Sequence, residues 1–173
     1  MRQRNRFIAQ VIPDHCVVEV ESIMDVIIQE TQADVPMELL LLADPSEELI
    51  REYLPNATVL VANHESDIVG AVVMVGTRPR TMEIMNISVY ERYQNQGIGK
   101  QLLLKAIEQA RNSKVKTLEI GTGNPGVVQM LLYQKCGFRI VGVELDYFRK
   151  LHNEPIMENG IECRDMIRMR LEL

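Results

Sequence analysis

Only three cysteines, Cys16, Cys136 and Cys163, occur in the 173-residue chain. The count is odd, the spacings are wide and no Cys-x-x-Cys pair is present. That argues against a disulfide framework or a zinc site and fits a reducing compartment. Long apolar runs are missing as well: none approaches the roughly 20 residues that a membrane span requires. The start carries Arg2, Arg4 and Arg6 like a secretion signal, but the apolar stretch behind them stops at Ile12, before Pro13, Asp14 and His15. No secretory core follows, and a cytoplasmic location is expected. Positive charge is in deficit, 19 Lys and Arg against 24 Asp and Glu, for a net charge of −5 and a pI near 5.3. A nucleic-acid surface needs clustered positive charge to replace counterions, so that class is disfavoured. A cationic or neutral small substrate suits the balance better than a polyanion. The three histidines, His15, His64 and His152, are scattered, which gives no support to a Cys/His/Asp nucleophilic arrangement. No repeat, low-complexity tract or Gly/Ser/Pro-rich linker divides the chain, so 1–173 reads as a single domain.

What is present is the balance of a globular protein, with 46% apolar and 25% charged residues. Residues 7–12 read as a strand and 20–31 as a helix. The run 37–42 suits strand or helix equally. Asp44-Pro45-Ser46-Glu47 reads as a helix start with Asp44 as N-cap and Pro45 at the first helical position; the helix ends before Pro55. A hairpin follows over 58–62 and 68–76, with the turn His64-Glu65-Ser66-Asp67 between its arms. After the turn Arg78-Pro79-Arg80 comes a third strand, 82–90. Then strands and helices alternate: helix 97–111, strand 116–121, helix 125–135, strand 139–143, and a closing strand within 164–173. An antiparallel meander followed by alternation predicts an α/β (α+β) fold with a mixed sheet and helices on both faces.

The most informative segment runs from Asn86 to Lys100, where a strand enters a polar loop and Gly97 and Gly99 open a helix with Ile98, Leu102, Ala106 and Ala110 on one stripe. The first N–H groups of a helix lack internal partners and carry partial positive charge, so such a place binds anions. Glycines let a phosphate approach the main chain. The dinucleotide fingerprint fails because its third glycine position holds Leu102. The P-loop fails as well, because Tyr93 stands four residues before Gly97 and Lys100 is followed by Gln101.

Gln94-Asn95-Gln96-Gly97-Ile98-Gly99 resembles instead the Q/R-x-x-G-x-G/A signature of the GNAT superfamily of acyl-CoA-dependent N-acetyltransferases, and it directly follows the strand end Ile87-Ser88-Val89. Further on, Tyr133-Gln134-Lys135-Cys136-Gly137-Phe138 is similar to that family's Y-x-K-x-G-F segment, and Asn124 precedes the helix bearing Tyr133. The resemblance implies a splayed sheet with a β-bulge at the splay. It implies acetyl-CoA as acyl donor, no metal, and a primary amine of a small molecule or peptide as acceptor. A pantetheine arm pairs with the main chain of Ile87 and Val89 beside Ser88. The amides of Gln94, Asn95, Gln96, Gly97, Ile98, Gly99 and Lys100 hold the pyrophosphate, and Asn124 reaches the cofactor amide or a water. The same resemblance implies that Tyr133 protonates the departing thiolate, Glu83 takes the amine proton through water and the Val89 N–H steadies the oxyanion; read without it, Tyr133 is a partly buried tyrosine and Glu83 a solvent-facing strand residue. A homodimer paired through the closing strand follows by the same analogy. The alternative is an acyl-CoA-binding module without turnover. Lys100 is a phosphate contact or a solvated first-turn lysine, Cys136 is read as structural, and Asp146, Tyr147 and Phe148 either line the acceptor pocket or pack a loop. Glu91 stands where many family members have proline.

Overall fold

The computed structural model describes residues 23–31 and 35–173. The strand expected at 7–12, and the first residues of the helix expected at 20–31, lie outside the described residues. Within 23–31 the helix is replaced by strand β1 (Ile27–Glu30). The reason is periodicity: Met24, Val26 and Ile28 pack against the core while Ile27 between them is exposed, a period of two rather than 3.6. A short helix α1 (Met37–Leu40) settles the ambiguity at 37–42. Helix α2 (Glu47–Tyr53) is capped by Ser46, whose Oγ accepts from Leu49 N; the expected cap, Asp44, instead accepts from Ser46 N at 2.9 Å.

The remaining strands are β2 (Ala57–His64), β3 (Asp67–Arg78), β4 (Thr81–Val89), β5 (Thr117–Gly123), β6 (Arg139–Glu144), the small pair β7 (Met157–Glu158) and β8 (Ile161–Glu162), and β9 (Met166–Glu172). Helix α3 (Ile98–Asn112) joins β4 to β5, α4 (Val127–Lys135) joins β5 to β6, and α5 (Tyr147–Leu151) follows β6. The large sheet runs β1-β2-β3-β4-β5-β9-β6, all antiparallel except β4 with β5. Because β9 lies between β5 and β6, both its edges are occupied, so the dimer expected through the closing strand has no free edge there. Among the described residues no helix is long and apolar enough to cross a membrane.

The alternation of the strands feeds two cores. On one face Leu102, Leu103, Ala106 and Ala110 of α3 pack with Val72, Ile84, Leu118 and Met169, joined by Tyr133 and Phe138. On the other, Leu39, Leu40 and Ile50 cover Val61, Ala71 and Val73. Fully burying one such aliphatic side chain contributes roughly 1.5–3 kcal/mol, and the two cores clamp the meander between them. Gly70 makes the α3 contact possible: a Cβ there would stand 2.9 Å from Ser88 O and 3.0 Å from Leu102 Cδ1.

Candidate active site

The site begins with a fault in the sheet. Along β4 and β3, Val73 faces Asn86 but Met74 faces Ile84, so Met85 is an extra residue. This is a β-bulge, and it bends and twists its strand. The parallel ladder with β5 ends just before it: the last pair is Ile84 with Ile120. Beyond that point β5 stays paired to β9 through Gly123, and β4 stays paired to β3 through Val89. The two strands part, and a gap opens between them.

Which main-chain groups face the gap follows from the ladder. Tyr90 N donates to Val69 O at 3.0 Å, so that pair is of the hydrogen-bonded kind. Antiparallel pairs alternate, so Ser88 and Asn86 also bond to β3, while Ile87 and Val89 turn their N–H and C=O to the open side. The carbonyl of Val89 is taken by Gln94 Nε2 at 2.9 Å. Among the described residues the Val89 N–H and both groups of Ile87 have no partner strand.

The gap leads to the start of α3. A 3₁₀ turn at Glu91–Tyr93 brings the chain round, with Gln94 N donating to Glu91 O at 3.1 Å. Gln94 is therefore not an amide of the anion cradle, as the sequence suggested; both its N–H and its side chain hold the loop. From Asn95 to Lys100 the amides have no acceptor among the described residues, and the first helical bond runs from Gln101 N to Gly97 O. Gly97 sits at φ 78° as N-cap, a conformation that favours glycine. Gly99 has no such constraint, and a Cβ there would meet only Leu132 Cδ2 at 3.9 Å. Neither backbone nor packing asks for glycine at 99, so the ground above the helix end is open to a ligand. Anion-binding geometry of this kind suits a pyrophosphate.

On the other side the gap widens into a cavity of about 860 Å³, lined by Glu83–Ser88 of β4, Gly121–Gly123 of β5, Gln129 and Tyr133 of α4, the 41–45 loop with Tyr53, and α5 with Tyr147 and Phe148. Tyr133 is buried, because Gly137 at φ 96° turns the chain back after α4 and packs Phe138 with its ring centroid 6.3 Å from that of Tyr133. Burial, and Glu158 less so, raise the Tyr133 pKa well above the usual phenol range. Its hydroxyl keeps its proton throughout neutral pH and has no hydrogen-bond partner among the described residues.

Glu83 also lines the cavity. Burial raises its pKa, Arg168 opposes that, and Glu119 adds to it. Arg168 of β9 donates to Glu83 from Nη1 at 2.7 Å and to Glu144 from Nη2 at 2.8 Å, while its guanidinium carbon lies 5.0 Å above the Tyr147 ring. Asn124 is placed differently from expectation. Its Nδ2 donates to Glu162 O, and its Oδ1 accepts from Arg164 N at 2.8 Å and Asp165 N at 3.0 Å. Three of its four side-chain bonding positions hold the entry to β9, which leaves one N–H for anything else. Asp146 is turned to Arg164 at 2.5 Å and does not line the cavity, whereas Tyr147 and Phe148 do.

Several lining groups were not singled out in the sequence. Asn86 is 2% exposed, and its Nδ2 donates to Leu40 O at 2.9 Å and to Tyr53 Oη at 3.3 Å. Burial raises the Tyr53 pKa to about 12. Cys163 is buried, its thiol pKa pushed by burial up to about 11, so it is no nucleophile at neutral pH. The signal for Asn86 was available: polar residues at 86 and 88, set among Met85, Ile87 and Val89, share one face.

A sheet split beside a bare helix start is the cofactor cleft expected of an acyl-CoA-dependent N-acetyltransferase. The chain belongs to the acetyltransferase (GNAT) family, whose model matches residues 21–138. An uncharacterized N-acetyltransferase of Bacillus subtilis, YvbK, is 49% identical over 136 residues, 79% of this chain and 88% of that protein. A solved structure described as an IAA acetyltransferase from Bacillus cereus is 50% identical, with a TM-score of 0.84, covering 86% of this chain and all of that one (100%). A GNAT family acetyltransferase from Elizabethkingia anophelis, solved with acetyl-CoA bound, is 46% identical, with a TM-score of 0.83, over 86% of this chain and 98% of that one.

Proposed function

We propose that this chain moves an acetyl group from acetyl-CoA to a primary amine by direct attack, in the cytoplasm. The observation that carries the reading is the loss of β4–β5 pairing after Ile84 and Ile120, which opens the Ile87 and Val89 main chain toward the amides at 95–100, unpaired among the described residues. The thioester donor is a substrate supplied from solution. Ile87 and Val89 pair with its pantetheine arm as an added strand would. The amides from Asn95 to Lys100 hold the diphosphate, and Gln94, by fixing Val89 O, sets the angle between strand and loop.

Within the reaction, the amine lone pair forms the C–N bond, the C–S bond breaks, and the amine gives up one proton while the sulfur gains one. An ammonium has no lone pair to offer, so a base is needed. Glu83 takes that proton through a water before the attack, the nitrogen's second proton leaves to water as the C–N bond forms, and Tyr133, which recovers its proton from solvent, delivers one to the leaving sulfur. The Val89 N–H donates to the oxygen on which charge develops. Asn124 acts by holding the chain at Arg164 and Asp165 rather than by touching the donor.

Titration calorimetry with acetyl-CoA, followed by thiol release with an amine panel, tests the reading. Tight binding with amine-dependent thiol release is the expected result. Binding without release from any amine would leave an acyl-CoA-binding module, and no binding would overturn the reading entirely.

A further inference from the structure

The acceptor side of the cavity has a chemistry of its own. Asn86 is held in one orientation, since its Nδ2 already donates to Leu40 O and Tyr53 Oη; flipping the amide would set oxygen against the Leu40 carbonyl. Its Oδ1 therefore points away from those partners and has none among the described residues, although the residue is 2% exposed. Ser88 Oγ, two residues on along the same face, is likewise without a partner at 4% exposure. Both residues line the cavity. A buried oxygen without a donor costs roughly 1–3 kcal/mol, and a ligand bearing N–H groups removes that cost. A neutral amine carries two N–H groups, one for each of these oxygens, and its lone pair then stays free.

The charge around these oxygens is of one sign. Asp44, Glu52, Glu83 and Glu158 line the cavity, and among the described residues no lysine or arginine does. Glu83 is occupied by Arg168 from behind. Asp44 and Glu52 have no ion-pair partner among the described residues and stand on the rim that also carries Tyr53; His152 lies near Asp44. A free carboxylate on the acceptor meets only like charge here, while a second ammonium meets two unpaired carboxylates.

We propose that the acceptor is a small polyamine-type molecule: its attacking nitrogen seated on Asn86 Oδ1 and Ser88 Oγ, a further ammonium held by Asp44 and Glu52, and no carboxylate beside them. This rests on the acetyl-transfer reading above and narrows its acceptor. The bond changes are those already given, with an N-acetyl amine and free CoA thiol as products.

Cadaverine, pentylamine and lysine share a carbon chain and differ in one ammonium or one carboxylate, so they isolate the claim. Thiol release at saturating acetyl-CoA is measured for the three, with spermidine as a longer polyamine and calorimetry of acetyl-CoA binding alongside. Cadaverine is expected to exceed pentylamine in kcat/KM by about five- to tenfold, the scale of one partly desolvated charge pair, and to exceed lysine by more. Asp44→Asn, which keeps an oxygen for Ser46 N, and Glu52→Gln should each narrow the cadaverine-to-pentylamine ratio. Acetyl-CoA binding with lysine or pentylamine preferred would overturn the polyamine acceptor and leave acetyl transfer standing. Binding with no turnover of any of the four would overturn it as well, and acetyl transfer would then stand only if another amine of the panel released thiol. Failure to bind acetyl-CoA would instead remove the acetyl-transfer reading, and the acceptor with it.

Discussion

Arg168 on β9 reaches past β5 to hold Glu83 on β4 at 2.7 Å, tying the expected base to a strand two places away in the sheet. The pair sets the charge of Glu83 through two opposed effects. Burial favours the neutral acid and the guanidinium favours the carboxylate, with burial prevailing. Arg168→Gln removes the cation, so the Glu83 pKa must rise further. The acid limb of kcat, measured at saturating amine, should then move to higher pH. Glu83→Gln should remove that limb and lower kcat by about 10²-fold. A limb unmoved in Arg168→Gln would assign it to another group.

Tyr133→Phe keeps the ring that packs on Phe138 and deletes only the hydroxyl. Fold and KM for acetyl-CoA should be nearly unchanged, while kcat falls by about 10²-fold, at the lower end for general-acid catalysis. Steady-state kinetics with a circular dichroism melt as control measure this. Undiminished kcat would exclude Tyr133 as the acid.

The two glycines at the helix start should separate cleanly. Gly97→Ala forces a Cβ into the left-handed region, at a cost of about 1–2 kcal/mol, and should lower the melting temperature. Gly99→Ala meets only Leu132 at 3.9 Å, so stability should hold. If the helix end carries the diphosphate, Gly99→Ala still weakens acetyl-CoA binding severalfold by calorimetry, because the methyl occupies the ligand's ground.

Asn124→Ala strands the amides of Arg164 and Asp165 together. One of these amides is exposed and the other half-buried, so each lost bond costs about 0.5–1.5 kcal/mol rather than a full desolvation penalty. Thermal unfolding should show the loss, and KM for acetyl-CoA should change little in the fraction that remains folded. A large KM effect with unchanged stability would restore the direct cofactor contact that the sequence suggested.

The parts of this fold that local physics writes clearly were readable in advance. The stripe Ile98, Leu102, Ala106 and Ala110 is buried as its 3.6 spacing requires, and the His64–Asp67 turn joins its two strands. Residues 26–30 misled because the short apolar run Val26-Ile27-Ile28 satisfies helix and strand patterns alike, and pairing with β2, a contact 36 positions away in sequence at Ile27 and Asn63, decided between them. Asp44 lost the cap to Ser46 because both have capping side chains two residues apart, and only the position of the first turn chooses. The Arg168–Glu83 pair and the orientation of Asn86 depend on strand order, which no local pattern in the chain encodes.

Met85 works as a spacer. The strand carries one residue more than its neighbour needs, yet the pairs on either side, Ile84 with Met74 and Asn86 with Val73, keep the register that β3 dictates. Remove it and those pairs close up with every later residue on its present side: Ile87 and Val89 still face outward, and Asn86 and Ser88 still turn to β3. What goes is the bend. A straightened β4 runs on beside β5 past Ile120, and the slot for the donor narrows from its floor. A one-codon deletion here should therefore cost acetyl-CoA binding in a chain that keeps its strands and its core, which makes 84–86 a stretch where length matters more than the identity of the side chain.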